Sequence, residues 1–405
     1  MGAEKVDQLL VTGEVVLDYD RRLTNEEKFG ALEAALPGAR RTKHAGVNTI
    51  QWNDQVILFK QVTHLGHPWE SFKKRIQIPR SWLEAYEEIA SQGLQARFVG
   101  IYMYDGQSIF VDFDPTLYLQ RKANNSAAHV ATNDLYQALN HGTFERVDKN
   151  FNRLTSVRSN LFSEYISGDF AGATDARFSA FEDLNSTLFT DNFIYGLDAV
   201  KEMHAAAWPD RFQNEWAGFY LELSLARQIA TDPARYPVEF LKSKTKGSLD
   251  FDLRWRAPDS SISFLGDLKA SDHMQREALG NDVLSLDEAI RLYGKFWYVI
   301  YEHETRHARD FADRATIEWN EWRKAMRHVQ RKAYDQLSYH GRYKESVRFI
   351  NMKVLEVNEA NKHLVLGDFN QGVQPSGAAR APKVSIKKAH IENFLIYQAQ
   401  SPFES

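Results

Sequence analysis

The 405-residue sequence contains no cysteine. That absence excludes a disulfide framework, a thiolate zinc site, an iron–sulfur cluster and a cysteine nucleophile, and many enzyme classes go with them. Long apolar runs are missing as well. No stretch approaches the roughly 18 uninterrupted apolar residues a membrane-spanning helix needs, and the opening MGAEKVDQLLVTGEVVLDYD lacks the charged-then-apolar layout of a secretory signal. The expectation is a soluble, cytoplasmic protein. A strong excess of either charge is also absent: the formal net charge is -4. This speaks against a protein that coats nucleic acid indiscriminately, yet leaves room for an enzyme with a local basic surface.

What is present is an ordinary globular composition, 43% apolar and 26% charged, which can build packed cores and is far from that of a disordered chain. The length exceeds what one core usually sustains, so two domains are expected. Residues 1–165 read as an N-terminal α+β domain. Within it Gln55 to Lys60 (QVILFK) and Arg97 to Phe113 are strand-like, and Asp105-Gly106 splits the second run as a hairpin turn would. Lys122 to Asn152 is polar and reads as loops around a short helix. The second domain, residues 166–405, begins with a helical pattern over about 176–230 that ends in EWAGFYLELSLARQIA. Two strand-like runs, GSLDFDLRW and SISFLGDLKA, come next. A helix near Leu286 to Tyr293 succeeds them, then an apolar strand FWYVIY and a long polar helix from about Asp310 to Leu337. Gly367 to Pro382 reads as a loop and ENFLIYQ as a last strand.

Alternation along a strand puts Leu249, Phe251 and Leu253 on one face and Asp250, Asp252 and Arg254 on the other. In the second run Ile262, Phe264 and Leu268 share a face, and Asp267 and Lys269 share the opposite one. If the strands pair, carboxylates and an amine meet on one surface. The acids at 250 and 267 lie 17 positions apart, which suits neighbouring strands. Two carboxylates about 4 Å apart repel by roughly 1 to 4 kcal/mol, so holding them together requires compensation. A hard divalent cation such as Mg²⁺ supplies it with few protein oxygens and keeps water for a substrate phosphate.

These residues resemble the PD-(D/E)xK nuclease superfamily, with Asp250 in GSLDFDL at the first acid and Asp267-Leu268-Lys269 at the second half of the motif. AGFYLE is similar to the glycine-to-glutamate segment of that fold's first helix, which implies Glu222 as an accessory ligand. The segment SDHMQREALGNDVLSLDEAIRLYGKFWYVIYEH resembles the region after the catalytic lysine in type II restriction endonucleases. The resemblance covers roughly residues 210–305. It implies an α/β fold with a restriction-endonuclease-like mixed sheet flanked by helices. It also implies Mg²⁺ held by Asp250, Asp267 and Glu222, with Lys269 assisting a water that hydrolyses DNA phosphodiesters. A homodimer acting on double-stranded DNA, with a cognate methyltransferase reading the same site, belongs to the same expectation. Asp252 shares a face with Asp250 and Glu215 precedes Glu222 by two helical turns, so both choices stay open.

A repair or recombination nuclease of the same superfamily is the nearest alternative, and a catalytically inert DNA-binding protein is another. A different chemistry is spelled by His303-Glu304-Thr305-Arg306-His307, the HExxH pattern of zinc peptidases, with Glu318 or Glu321 as third ligand. It comes directly after the most strand-like run of the chain, whereas that chemistry needs a helix; a strand end with a polar turn is the competing expectation. For DNA contacts, Arg323, Arg327 and Arg331 recur every four residues and would form a cationic stripe on a helix. Lys73, Lys74 and Arg75, and Arg380 with Lys383, Lys387 and Lys388, are further candidates.

Overall fold

The computed structural model describes residues 4–120, 125–148, 150, 152–170, 175–209, 215–241, 251–328, 343–369 and 381–403. It has two compact units, Met1–Ala173 and Thr174–Ser405. Both are mixed α/β. No helix among the described residues is long and apolar enough to cross a membrane.

The first unit is built on a seven-stranded sheet. Its order is Thr143–Val147, Arg153–Arg158, Gln107–Phe113, Gln95–Tyr104, Gln55–Gln61, Val47–Trp52 and Arg40–His44. The Gln55–Gln61 and Gln95–Tyr104 strands run parallel, joined through the helix Ser81–Ser91. Asp105 and Gly106 both have positive φ (48° and 74°), as the two-residue turn between Gln95–Tyr104 and Gln107–Phe113 requires. The helix Asn25–Ala35 starts at a capping box, in which Thr24 accepts from the Glu27 amide and Glu27 accepts from the Thr24 amide. It buries Phe29 and Leu32 against Ile57, Val99 and Phe110. The segment read as loops around a helix contains more order than expected. Strands Asn125–Ala131 and Thr143–Val147 flank the helix Thr132–His141, and the first of them pairs with Lys73–Pro79.

The second unit centres on another seven-stranded sheet. Six strands lie in the order Ile194–Tyr195, Lys344–Val357, Phe296–His307, Ile262–Asp272, Leu253–Arg256 and Val238–Phe240, and Leu395–Gln400 pairs beside Lys344–Val357. The strand Phe296–His307 is parallel to Ile262–Asp272, and the helix Val283–Tyr293 lies between them in the chain. Asp282 starts that helix by accepting from the Leu284 and Ser285 amides, and Gly294 in the left-handed region ends it. Phe296–Tyr301 is buried without interruption, as expected of a central strand covered on both faces.

Alternate residues of the strands separate two layers. Phe264, Leu268, Trp297, Val299 and Tyr301 pack into one core with Leu221 and Leu225 of the helix Trp216–Thr231 and Phe181 of the helix Ser179–Leu188. Asp267, Lys269, Tyr298 and Ile300 alternate with them and take the opposite face. The chain runs helix Trp216–Thr231, strands Val238–Phe240, Leu253–Arg256 and Ile262–Asp272, the strand Glu277–Asp282 of a separate small sheet, then helix Val283–Tyr293 and strand Phe296–His307. Six described strands of this unit lie outside the sequence expectation: Ile194–Tyr195, Val238–Phe240, Glu277–Asp282, the 14-residue Lys344–Val357, Leu366–Phe369 and Lys383–Lys387. Of the polar helix expected over 310–337, the described residues form a helix at Arg314–Ala325, and 329–337 lie outside them.

Candidate active site

The antiparallel register between Leu253–Arg256 and Ile262–Asp272 pairs Leu253 with Gly266. Asp252, one residue before the strand, meets Asp267 through a side-chain hydrogen bond. Gly266 is required at that place: a Cβ there would meet the Trp255 ring and the Trp297 carbonyl at 2.6 Å each. The absence of a side chain lets Trp255 lie flat under the strand, stacked on Phe264, while the next residue turns its carboxylate to the other face.

Asp267 is 2% exposed, and its Oδ2 lies 2.5 Å from the Lys269 Nζ. Burial alone would raise its carboxyl. The Lys269 charge and hydrogen bonds from Asp252, Lys269 and Asn281 outweigh burial and hold it below the usual carboxylate range. Asp252 takes the opposite course. Burial first, then the charge of Asp267 and that of Glu222, push it up to about 10, so it keeps a proton and donates it to Asp267. Its Oδ2 also accepts from the Leu268 amide at 3.4 Å. Burial would lower the Lys269 ammonium, but Asp267, Asp252 and Glu222 together raise it. Its side chain remains 23% exposed, the open side of an otherwise enclosed cluster.

Of the residues singled out by sequence, the fold brings Asp267 and Lys269 into contact. Glu222, half-buried on the helix Trp216–Thr231, lies near enough for its charge to act on both Asp252 and Lys269. Glu215 is engaged elsewhere, 2.8 Å from Lys344. Asp250 lies outside the described residues, and Asp252 is the described acid that meets Asp267. Asn281 is an addition to the expected set. It bonds the Asp267 side chain, and its amide donates to the Tyr298 hydroxyl at 3.3 Å. Its signal in sequence is only a polar pair, Asn281-Asp282, ahead of a helix.

Among the described residues no group of three or more histidine or acidic side chains is arranged to hold a metal ion. The fit of a cation therefore rests on the two aspartates. Their chemistry suits it, since Mg²⁺ is commonly bound through one or two carboxylates with water completing its shell. A cation held by the pair would take the place of the proton that burial and Asp267 keep on Asp252.

The HExxH residues do not form a zinc site. The strand Phe296–His307 continues through both histidines instead of turning there, and four extended residues span about 13 Å, too far to share one ion. His303 is fully buried, with its Nδ1 3.0 Å from the Thr305 hydroxyl, and burial, with the charge of Lys344, pushes it down to about 3. Glu318 is taken up by the Tyr195 hydroxyl at 3.1 Å.

The expected cationic contacts divide. Arg323 is buried, stacked over Trp319 and bonded to His328, and the helix ends before Arg327, whose φ is +59°. No stripe runs from Arg323 to Arg327, and Arg331 lies outside the described residues. Lys74 is 1% exposed, 3.7 Å from Asp20 and over the Tyr102 ring, which removes it from the surface set. Lys73 pairs with Glu70 at 2.8 Å. Lys388 is buried against Glu302 at 2.9 Å, while Arg380 lies outside the described residues. Arg75 remains in a cavity of the first unit.

No curated protein and no solved structure matches the chain. Residues 53–166, all within the first unit, match the family model described as methylase-associated X1, and this match points to a restriction–modification setting.

Proposed function

We propose that the second unit is the catalytic centre of a Mg²⁺-dependent endonuclease that hydrolyses DNA phosphodiesters within a restriction–modification system. One observation carries the reading. Asp252, just ahead of the strand Leu253–Arg256, and Asp267, on the neighbouring strand, are pressed into a hydrogen bond beside the Lys269 ammonium. An ordinary surface ion pair needs only one acid and is worth about 0 to 1 kcal/mol. Here a second, half-buried acid is retained at a cost, which is the pattern expected of functional groups. The order helix, four strands, helix, strand, with three of those four strands in the central sheet, supports the same reading, as does the methylase-associated match.

Asp252 and Asp267 would hold the cation, with Glu222 as an accessory ligand, and Asp250 remains a further acid of the same segment. When bound, the cation supplies Lewis-acid polarisation of the scissile phosphate and lowers the pKa of an attacking water. Lys269 does the remaining electrostatic work. Its amine is fixed by Asp267 and open on one side, so it can orient the water or meet the charge developing on the phosphate oxygens. Asn281 holds the Asp267 carboxylate in position. Cleavage of both strands of a duplex needs two such centres, which a homodimer provides, and a methyltransferase partner would protect the same sites.

The test is digestion of methylated and unmethylated genomic DNA with Mg²⁺ or EDTA, beside Asp267→Ala. The expected result is discrete bands, lost with EDTA and with the variant, and suppressed on DNA methylated by the cognate enzyme. A smear with the same dependence would indicate a repair-type nuclease. Intact DNA in every lane would refute the nuclease reading.

A further inference from the structure

The first unit contains a cavity of about 630 Å³ that the catalytic reading does not use. Its walls come from the segment after Val15–Tyr19, the helix Asn25–Ala35 and the strands Val47–Trp52, Gln55–Gln61 and Lys73–Pro79. Five cations line it. Arg21 is paired with Glu27 at 2.5 Å. Arg22, Lys28, Lys60 and Arg75 have neither an ion pair nor a side-chain hydrogen bond among the described residues.

Four unneutralised cations around one concavity repel one another. The effect is visible at Lys28, whose ammonium is lowered first by burial and then by the charges of Lys60 and Arg22. Asp20, the carboxylate in the lining, is already committed. It accepts from the Gln8 side chain and from the His64 amide, each at 2.6 Å, and lies 3.7 Å from Lys74. The cavity therefore lacks an internal counter-ion, and an anionic ligand would relieve the repulsion. Beside the cations stand three amides, Asn25, Asn48 and Gln77, with no side-chain hydrogen bond among the described residues. Cations that meet phosphates and amides that can pair with base edges are the two components of nucleic-acid readout.

We propose that this cavity binds a DNA strand, with Arg22, Lys28, Lys60 and Arg75 on backbone phosphates and Asn25, Asn48 and Gln77 toward base edges. The four cations come from a loop, a helix and two strands, so they are spread across the cavity. Such spacing suits successive phosphates of a polynucleotide better than the single polyphosphate of a free nucleotide, which is usually cradled by one glycine-rich loop. The proposal shares with the proposed function only the expectation of a DNA substrate and uses none of the catalytic residues.

The experiment is fluorescence anisotropy of a labelled DNA duplex titrated with full-length protein in EDTA, where cleavage cannot interfere. Lys28→Gln/Lys60→Gln is compared with wild type over a range of salt, and Arg22→Gln/Lys60→Gln serves as a second variant built on an exposed arginine. Each double variant, melting as wild type does, is expected to bind at least about tenfold more weakly. The slope of log K against log salt should fall by about 2, near 0.9 for each lost phosphate contact. Wild-type affinity and slope in both folded variants would overturn the proposal. Binding of ATP or inorganic phosphate at this cavity without competition from DNA would also overturn it, in favour of a small-anion site. Loss of binding in the variants while wild type cleaves nothing in Mg²⁺ would refute the catalytic reading and leave this one standing.

Discussion

Asp252 and Asp267 hold two carboxyl groups together beside one ammonium, and the fold without a cation accommodates them by keeping a proton on Asp252. That arrangement has a measurable sign. A carboxyl raised from its ordinary range to about 10 favours the folded state at low pH and progressively loses that contribution as pH rises toward 10. In EDTA the protein should therefore melt at lower temperature as pH is raised through neutrality. Asp252→Asn removes the repulsion and the proton requirement together. It should raise the melting temperature in EDTA at pH 8, consistent with about 1 to 3 kcal/mol, and flatten the pH dependence, while abolishing cleavage. Differential scanning calorimetry across pH checks it. A variant that melts lower than wild type would mean that Asp252 is a structural partner.

Elements whose polar residues are buried in pairs are the least legible in the sequence. FWYVIY, the Asp105-Gly106 turn, the alternation around Asp267 and Lys269, and the closing strand obey simple periodicities, and each appears where expected. The strand Lys344–Val357 does not announce itself because Glu345 and Lys353 interrupt its apolar pattern. Their partners, Arg314 at 2.6 Å and Glu302 at 2.8 Å, come from distant positions in the chain. Burial of Lys74 and Arg323 is hidden for a similar reason, since it depends on Tyr102 and Trp319 packing beside them. Strand alternation puts Asp250 and Asp252 on one face and cannot choose between them; among the described residues it is Asp252 that bonds Asp267. The first unit contains the same kind of hidden pair. Arg146 holds Asp134 through two bonds of 2.8 and 2.9 Å, both residues buried, and Asp134 also accepts from the Ala131 amide ahead of its helix. Asp134→Ala leaves a buried guanidinium without its carboxylate and should cost about 3 to 5 kcal/mol in urea unfolding. A loss below about 1 kcal/mol would show that solvent reaches Arg146.

For the whole molecule, a net charge of -4 coexists with a cluster of unpaired cations in one cavity of the first unit and a cluster of acids in the second. Charge is thus arranged locally, with cations collected in one unit and acids in the other. The match of residues 53–166 to a methylase-associated family gives that division a setting. Whether the Asp252, Asp267 and Lys269 cluster cleaves DNA is tested most directly by single-turnover cleavage of a duplex. Wild type and Asp267→Ala are each assayed with Mg²⁺ and with EDTA. The expected result is cleavage by wild type in Mg²⁺ alone, and a fall of at least about 10²- to 10³-fold in the variant, the scale of losing a transition-state electrostatic contact. Equal rates for the two proteins, or cleavage that persists in EDTA, would contradict a metal-dependent centre at these residues.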